Sequence, residues 1–259
     1  MATDLLVSKD GAVTTLSLNR PGAKNALTRE LTQALLAAVD EASRDAELRV
    51  LVLRGEGGAF CSGADLKSAF QDLTAGTGFE SFVAELHSLI RALGKLERPV
   101  IAAVDGPAVG FGADLALACD LRVLSDTAYL QEKFVSIGLM PDGGGTFMLK
   151  ALVGPGRALE YLMLGTRLDA QKALELGLAN RVVPTAALDA EIHELAAELA
   201  RAAPLALAAI KRSVCASLGG LDAALDREKA GQLELLASQD VREGVAAWLE
   251  GRAPRFTGK

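Results

Sequence analysis

A chain of 259 residues, half of them apolar and 23% charged, has enough material for a buried core and falls outside the composition of disordered or collagen-like proteins. A net charge of -6 and an aromatic content of only 4% argue against a polyphosphate-binding surface or a stacking platform, so no nucleic-acid partner is expected. Cys61, Cys119 and Cys215 stand far apart without a CxxC or Cys/His cluster, which predicts reduced thiols and neither a disulfide framework nor a metal site. The opening MATDLLVSKD places Asp4 where a secretory signal needs apolar residues, and no apolar run reaches the roughly 18 residues of a membrane span. A cytoplasmic protein without membrane attachment is expected.

Leu5-Leu6-Val7 and the alternating Val13 to Leu18 flank Asp10-Gly11, the pattern of a β-hairpin. After Asn19-Arg20-Pro21-Gly22, the residues Leu31, Leu35, Leu36 and Val39 recur at helical spacing behind a Thr28 N-cap. Val50 to Leu53 is a continuous apolar run of the kind a buried strand shows, and it opens into a glycine-bearing loop ending at Leu66. Helical spacing returns at residues 79–93. A second buried strand at residues 99–104 again opens into glycines, Gly106, Gly110 and Gly112, followed by an apolar helix. This echo between the runs at Val50 and Val100 predicts two parallel strands whose loops aim free backbone N–H groups at one spot. Residues 121–124 and Tyr129-Leu130 read as further strands and residues 137–146 as a long turn. Beyond Gly156 the pattern is helical, at 156–164, 169–176, 187–202, 204–217, 221–237 and 240–251, with a brief strand at Val182-Val183. The expected division is a mixed core over residues 1–195 and a helical subdomain over 196–259.

Taken singly, the polar residues near these loops support modest readings. Gly110-Phe111-Gly112 matches two glycines of a dinucleotide fingerprint, but Leu115 stands where the third belongs. Ser62 lacks the GxSxG context of a nucleophile, since Phe60 occupies the first glycine position. His87 and His193 fall in helical patterns as surface or packing residues. Asp142 in Pro141-Asp142-Gly143 has the chemistry of a reverse turn, Asp65 and Asp114 suit helix starts, and Glu132-Lys133 suits a solvated pair.

Together, Asn19-Arg20-Pro21 with Asn25-Ala26-Leu27, Phe60-Cys61-Ser62-Gly63-Ala64-Asp65-Leu66 and the segment from Pro99 to Gly112 resemble the enoyl-CoA hydratase/isomerase (crotonase) superfamily. The resemblance runs on through Ala118-Cys119-Asp120-Leu121-Arg122, the segment Gly138 to Thr146 and Arg242-Glu243-Gly244 to the closing Phe256-Thr257-Gly258-Lys259, and so covers essentially the whole chain. It implies an α/β fold, a spiral of β-β-α units with two roughly perpendicular sheets and a C-terminal helical region that mediates trimerisation, as a homotrimer or a hexamer. It also implies an acyl-CoA thioester as substrate, with coenzyme A part of that substrate and no separate cofactor.

By motif position, the resemblance makes the N–H groups of Ala64 and Phe111 the donors to the thioester oxygen. Asn25, Ala26, Ser62, Asp65 and Leu66 match segments that line coenzyme A. The two glutamates of the family's hydratases fall at Asp114, one methylene shorter, and at Phe134, which transfers no proton; Glu132 lies two residues from the second position and would need a register shift to reach it. Asp142 matches a working aspartate in the ring-1,2-epoxyphenylacetyl-CoA isomerase branch and a nucleophilic one in a dehalogenase branch, where it pairs with a histidine that this chain is expected to lack. The resemblance therefore favours a double-bond shift, or the rearrangement of a related unsaturated acyl group, through a thioester enolate, with Asp142 moving the proton and Asp114 as an auxiliary or second acid. Hydration of a 2-enoyl-CoA by Asp114, a non-catalytic acyl-CoA binder and a dinucleotide oxidoreductase are the alternatives.

Overall fold

The computed structural model describes residues 3–69, 78–202, 204–217, 221–252 and 254; the closing Phe256 to Lys259 motif, Ala203 and the Cys215 side chain lie outside the described residues. Nine strands and nine helices are described. The strands are β1 (Leu5–Asp10), β2 (Val13–Leu18), β3 (Val50–Gly55), β4 (Val100–Val104), β5 (Pro107–Val109), β6 (Leu121–Ser125), β7 (Tyr129–Gln131), β8 (Leu168–Asp169) and β9 (Arg181–Val183). The helices are α1 (Arg29–Arg44), α2 (Phe79–Lys95), α3 (Phe111–Leu117), α4 (Gly145–Leu164), α5 (Ala170–Glu175), α6 (Leu188–Arg201), α7 (Pro204–Ser217), α8 (Leu221–Leu236) and α9 (Gln239–Glu250).

The expected hairpin is present, with β1 antiparallel to β2 and Gly11 at φ 55° in the turn. From there the sheet is parallel, in the order β1-β2-β3-β4-β6-β9. Because a strand's side chains alternate, the apolar runs at β3 and β4 serve both faces. Leu51, Leu53, Val100, Ala102 and Val104 join the core with α1 and α2, while Val50, Val52, Ile101 and Ala103 pack on Leu188, Ile192 and Leu195 of α6. Thr28 caps α1 by accepting the Leu31 N–H at 3.2 Å, and the buried Leu31, Leu35 and Val39 are the face that the spacing predicts.

A second sheet, β5-β7-β8, grows from the ends of β4 and β6. Its strand at Pro107–Val109 is not anticipated in the sequence, because three residues beginning with proline carry no readable alternation. Helix α4 also differs from expectation: it starts at Gly145 rather than 156, and Gly154 (φ 77°, ψ 162°) with Pro155 breaks it into two segments. The turn residues before it masked that first segment.

The C-terminal helices are tied to the core by specific contacts. Lys211 of α7 donates to Asp120 Oδ2 at 2.7 Å and to the carbonyls of Leu93 and Arg98. Burial outweighs that ammonium and raises the Asp120 carboxyl above its ordinary pKa. Arg122 lies buried, its guanidinium spent on the carbonyls of Leu178, Cys119 and Leu117. Gly244 of α9 packs where a Cβ would stand 2.7 Å from the Ile137 carbonyl carbon, so the glycine of Arg242-Glu243-Gly244 is what lets α9 reach the loop below. Among the described residues, no helix is long and apolar enough to cross a membrane.

Candidate active site

Two backbone segments, residues 60–65 and 107–111, lie side by side. Cys61 donates its N–H to the Pro107 carbonyl at 3.1 Å, and Val109 returns a bond to the Cys61 carbonyl at 2.9 Å. On the other flank Leu27 donates to the Gly63 carbonyl and accepts from Asp65 N–H, both at 2.8 Å. In such a parallel bridge the intervening residue's own groups face away, so Ala64 N–H points to the side opposite Leu27. Phe111 is the first residue of α3, where a helix leaves its N–H groups without intrahelical acceptors. Neither the Ala64 nor the Phe111 N–H has a hydrogen-bond acceptor among the described residues.

Glycine makes this approach possible. Gly63 sits at φ 93°, and a Cβ there would lie 2.9 Å from the Val109 carbonyl oxygen and 3.3 Å from the Phe111 nitrogen. The echo in the sequence thus resolves into two loops whose free amides are neighbours. The Phe111 side chain is buried, and its ring reaches Gly143. Phe134 stands half-buried with its ring 3.7 Å from where a Cβ on Gly110 would be, so an apolar ring covers the turn beside the Phe111 amide.

Asp142 lies buried in the loop between β7 and α4, with positive φ at Gly138 (76°) and Gly144 (94°). Its backbone is the polar neighbour that opposes the effect of burial on His87, and the N–H of the next residue, Gly143, donates to Asp114 Oδ2 at 3.0 Å. His87 is 1% exposed, the packing residue of the two readings, and it corrects one expectation: a histidine does stand near the Asp142 segment, where the sequence showed none at a recognisable spacing. Burial lowers its pKa below the ordinary 6.5. Its place on one face with Val83, Leu86 and Ile90, all buried, was the available signal.

Glu132 is also corrected: it is buried, not a solvated partner of Lys133. A Cβ on Gly145 would meet Asp114 Oδ1 at 2.3 Å and Glu132 Oε1 at 3.0 Å, so these two carboxyl groups converge on the start of α4. Asp114 itself is fully buried.

The residues expected to line coenzyme A come together, but their side chains are largely spent. Asn25, fully buried at φ 57°, accepts Arg20 N–H at 2.8 Å and donates to the carbonyls of Glu56 and Ala59 at 2.9 and 2.6 Å. Ser62 Oγ donates to the Ala23 carbonyl and Ser62 N–H to the Lys24 carbonyl, so both groups brace the segment at residues 23–24. Asp65 accepts from Arg20 Nη2 at 3.1 Å and from Ser68 N–H, and Arg20 also donates to the Ala26 carbonyl. With Leu66 they form a braced ledge beside Ala64. Cys61 and Cys119 are buried free thiols whose pKa is pushed up to about 12, so they are inert. A groove of about 750 Å³ between α1 and the end of α2, lined by residues such as Leu36, Asp40, Lys95 and Arg98, contains none of the candidate residues.

Comparison with known proteins fits this arrangement. The model of the family described as Enoyl-CoA hydratase/isomerase matches residues 8–259. A 1,2-epoxyphenylacetyl-CoA isomerase of Escherichia coli (strain K12) is 38% identical, over 98% of both chains. A probable enoyl-CoA hydratase of Rhodobacter capsulatus is 39% identical, over 94% of both. Among solved structures, an enoyl-CoA hydratase from Mycobacterium avium subsp. paratuberculosis K-10 superposes with a TM-score of 0.90 at 36% identity, covering 99% of this chain and 100% of that one. The architecture is therefore the crotonase fold, the spiral with two sheets that the motifs implied. The chain belongs to the enoyl-CoA hydratase/isomerase family and is an acyl-CoA enzyme of that superfamily.

Proposed function

We propose that this enzyme shifts a double bond in an unsaturated acyl-CoA, from the 3,4 to the conjugated 2,3 position, through a thioester enolate. Ala64 and Phe111 N–H receive the thioester oxygen. The Asp142 carboxylate removes a proton from C2, the electron pair spreads through the alkene to that oxygen, and Asp142 returns the proton at C4. One backbone donor aimed at such an oxyanion is worth about 3–4 kcal/mol in a dry site. The observation that carries the reading is that Asp142 is buried while position 134 holds a phenylalanine, which transfers no proton. A single carboxylate suffices to move a proton between two carbons, whereas adding water calls for a second group to handle it. The similarity to an isomerase supports the same choice. The ledge of Asn25, Ala26, Ser62, Asp65 and Leu66 would hold coenzyme A, mainly by backbone and apolar contact.

Conversion is followed by the rise of the conjugated-thioester absorbance when a 3-enoyl-CoA is added. Asp142→Asn is expected to lower the rate by about 100-fold or more, the usual scale for losing a proton-transfer group. Full turnover by a folded, CoA-binding Asp142→Asn protein would refute the assignment. A second reading, hydration of a 2-enoyl-CoA, draws on the convergence of Asp114 and Glu132 at Gly145. It predicts loss of the conjugated band on adding protein, and sensitivity to Asp114→Asn. The reading includes a homotrimer or hexamer, supported by the exposed apolar Leu152, Leu159, Met163 and Leu164 along α4.

A further inference from the structure

Asp114 and Glu132 bring two carboxyl groups to one buried spot beside the candidate site. A Cβ on Gly145 would lie 2.3 Å from Asp114 Oδ1 and 3.0 Å from Glu132 Oε1, and two atoms within those distances of one point are at most 5.3 Å apart. Asp114 is fully buried and Glu132 is 5% exposed, and the glycine that opens α4 is what leaves room for both. Glu132 also borders a cavity of about 10 Å³ walled largely by aliphatic side chains, Leu117, Leu130, Leu149 and Leu168 among them, surroundings that solvate a charge poorly.

Two negative charges this close in a dry interior oppose one another, so the pair gives up its protons in two separate steps and the second is delayed. The two members are not equivalent. Asp114 Oδ2 accepts the Gly143 N–H at 3.0 Å, a bond that favours its ionised form, whereas Glu132 faces leucines. The charge therefore rests on Asp114 and the retained proton on Glu132. Of the titratable groups on the elements packed around the pair, Tyr161 of α4 lines the same cavity, Asp142 adjoins Gly143, and His87 of α2 stands near the Asp142 segment with its pKa lowered by burial; the cations Lys133, Arg167 and Lys172 are exposed.

The charge state matters because Asp114 stands one turn beyond Phe111, at the start of α3. One negative charge there complements the helix dipole, while a second would oppose the charge that develops on the thioester oxygen. We propose that Glu132 is a positioning residue that holds one proton against Asp114 near neutral pH, keeping the pair at a single negative charge and sparing the Phe111 oxyanion donor a second one. Its effect on turnover rests on the enolate reading, and the retained proton does not.

Infrared difference spectra of the full chain against Glu132→Gln test the proton without any substrate. Glutamine keeps the length and an N–H toward Asp114 but has no proton to lose. At pH 7 the parent is expected to show a protonated-carboxyl stretch that shifts in deuterium oxide and is missing from the variant. Asp120, whose carboxyl pKa burial raises, is common to both and cancels. The band should vanish with a midpoint at about pH 8–9, the range reached by buried glutamates, and about one unit or more lower in Asp114→Asn, which keeps an acceptor for Gly143 but loses the charge. No such band at pH 7, or the same midpoint in the parent and Asp114→Asn, would overturn the pair; where Glu132→Gln does not fold, that shift decides. For 3-enoyl-CoA, kcat/KM is expected to fall about 10-fold between about pH 7 and 9.5 in the parent and less than about 3-fold in Glu132→Gln. Equal alkaline losses in the two proteins would overturn the role at Phe111. A chain that turns over no 3-enoyl-CoA sinks the enolate reading, and the infrared band still decides the pair.

Discussion

Asn25 separates two roles that the motif alone does not distinguish. A residue touching coenzyme A at the surface would accept Asn25→Asp with a modest change in KM, because the shape is conserved and aspartate tolerates left-handed φ. The structure instead makes Asn25 a fully buried brace, with one accepted and two donated hydrogen bonds. Aspartate keeps the acceptor facing Arg20 N–H but loses both donors, leaving the carbonyls of Glu56 and Ala59 opposite a carboxyl group. Each buried carbonyl left unsatisfied costs about 1–3 kcal/mol, which puts the variant at about 4 kcal/mol before any cost of burying charge. Against a typical total stability of about 5–15 kcal/mol this is a large fraction, and for a chain of this size it corresponds to a fall of roughly 8–16 °C in Tm. Thermal unfolding followed by far-ultraviolet circular dichroism, with KM measured on the same preparation, is the assay. A Tm within about 3 °C of the parent accompanied by a raised KM would refute the brace and return Asn25 to the ligand.

Three further outcomes are expected. Gly143→Ala would drive a Cβ to 2.6 Å from Asp114 Cβ and 2.8 Å from the Phe111 ring, both buried, so about 1–3 kcal/mol of stability and most of the turnover should go; an active variant of unchanged Tm would show that the loop yields. His87 is held below its ordinary pKa of 6.5 by burial, with Arg91 and Lys229 adding to the effect and the Asp142 carbonyl and Asp226 opposing it. The native state therefore binds fewer protons than the unfolded chain below about pH 6.5, and stability is full above that value and falls as the pH drops through it. His87→Asn should flatten this acid-side slope in urea midpoints taken between about pH 7.5 and 5.5, and an identical slope in parent and variant contradicts the assignment. Lys211→Met leaves the largely buried Asp120 carboxyl without its cation and should destabilise by about 3–5 kcal/mol, most visibly as early release of α7 in hydrogen exchange; uniform exchange across α7 and the sheet would argue otherwise.

Most strands and most helices were legible because their signals are local. The runs at Val50 and Val100, the Thr28 cap with its Leu31, Leu35 and Val39 face, and the hairpin at Asp10-Gly11 each follow from spacing and turn chemistry within a dozen residues. Ordered motifs along the whole chain carried the family, and with it Ala64, Phe111 and Asp142 as the residues to watch. Strand β5 was missed because its pairing with β7 is set by neighbours in space, not by its own three residues. Only the tertiary structure decided what surrounds Asp142. Four strands, β4 to β7, and helix α3 separate His87 from it in sequence, and nothing local distinguishes a histidine packed among apolar neighbours from one that comes to lie beside a distant loop. Glu132 likewise reads as a charged neighbour of Lys133 until β7 carries it inward beside Asp114. Periodicity and turn residues are properties of neighbouring bonds, and so a sequence states them outright; the environment of a buried polar group is made by segments that meet only when the chain has folded.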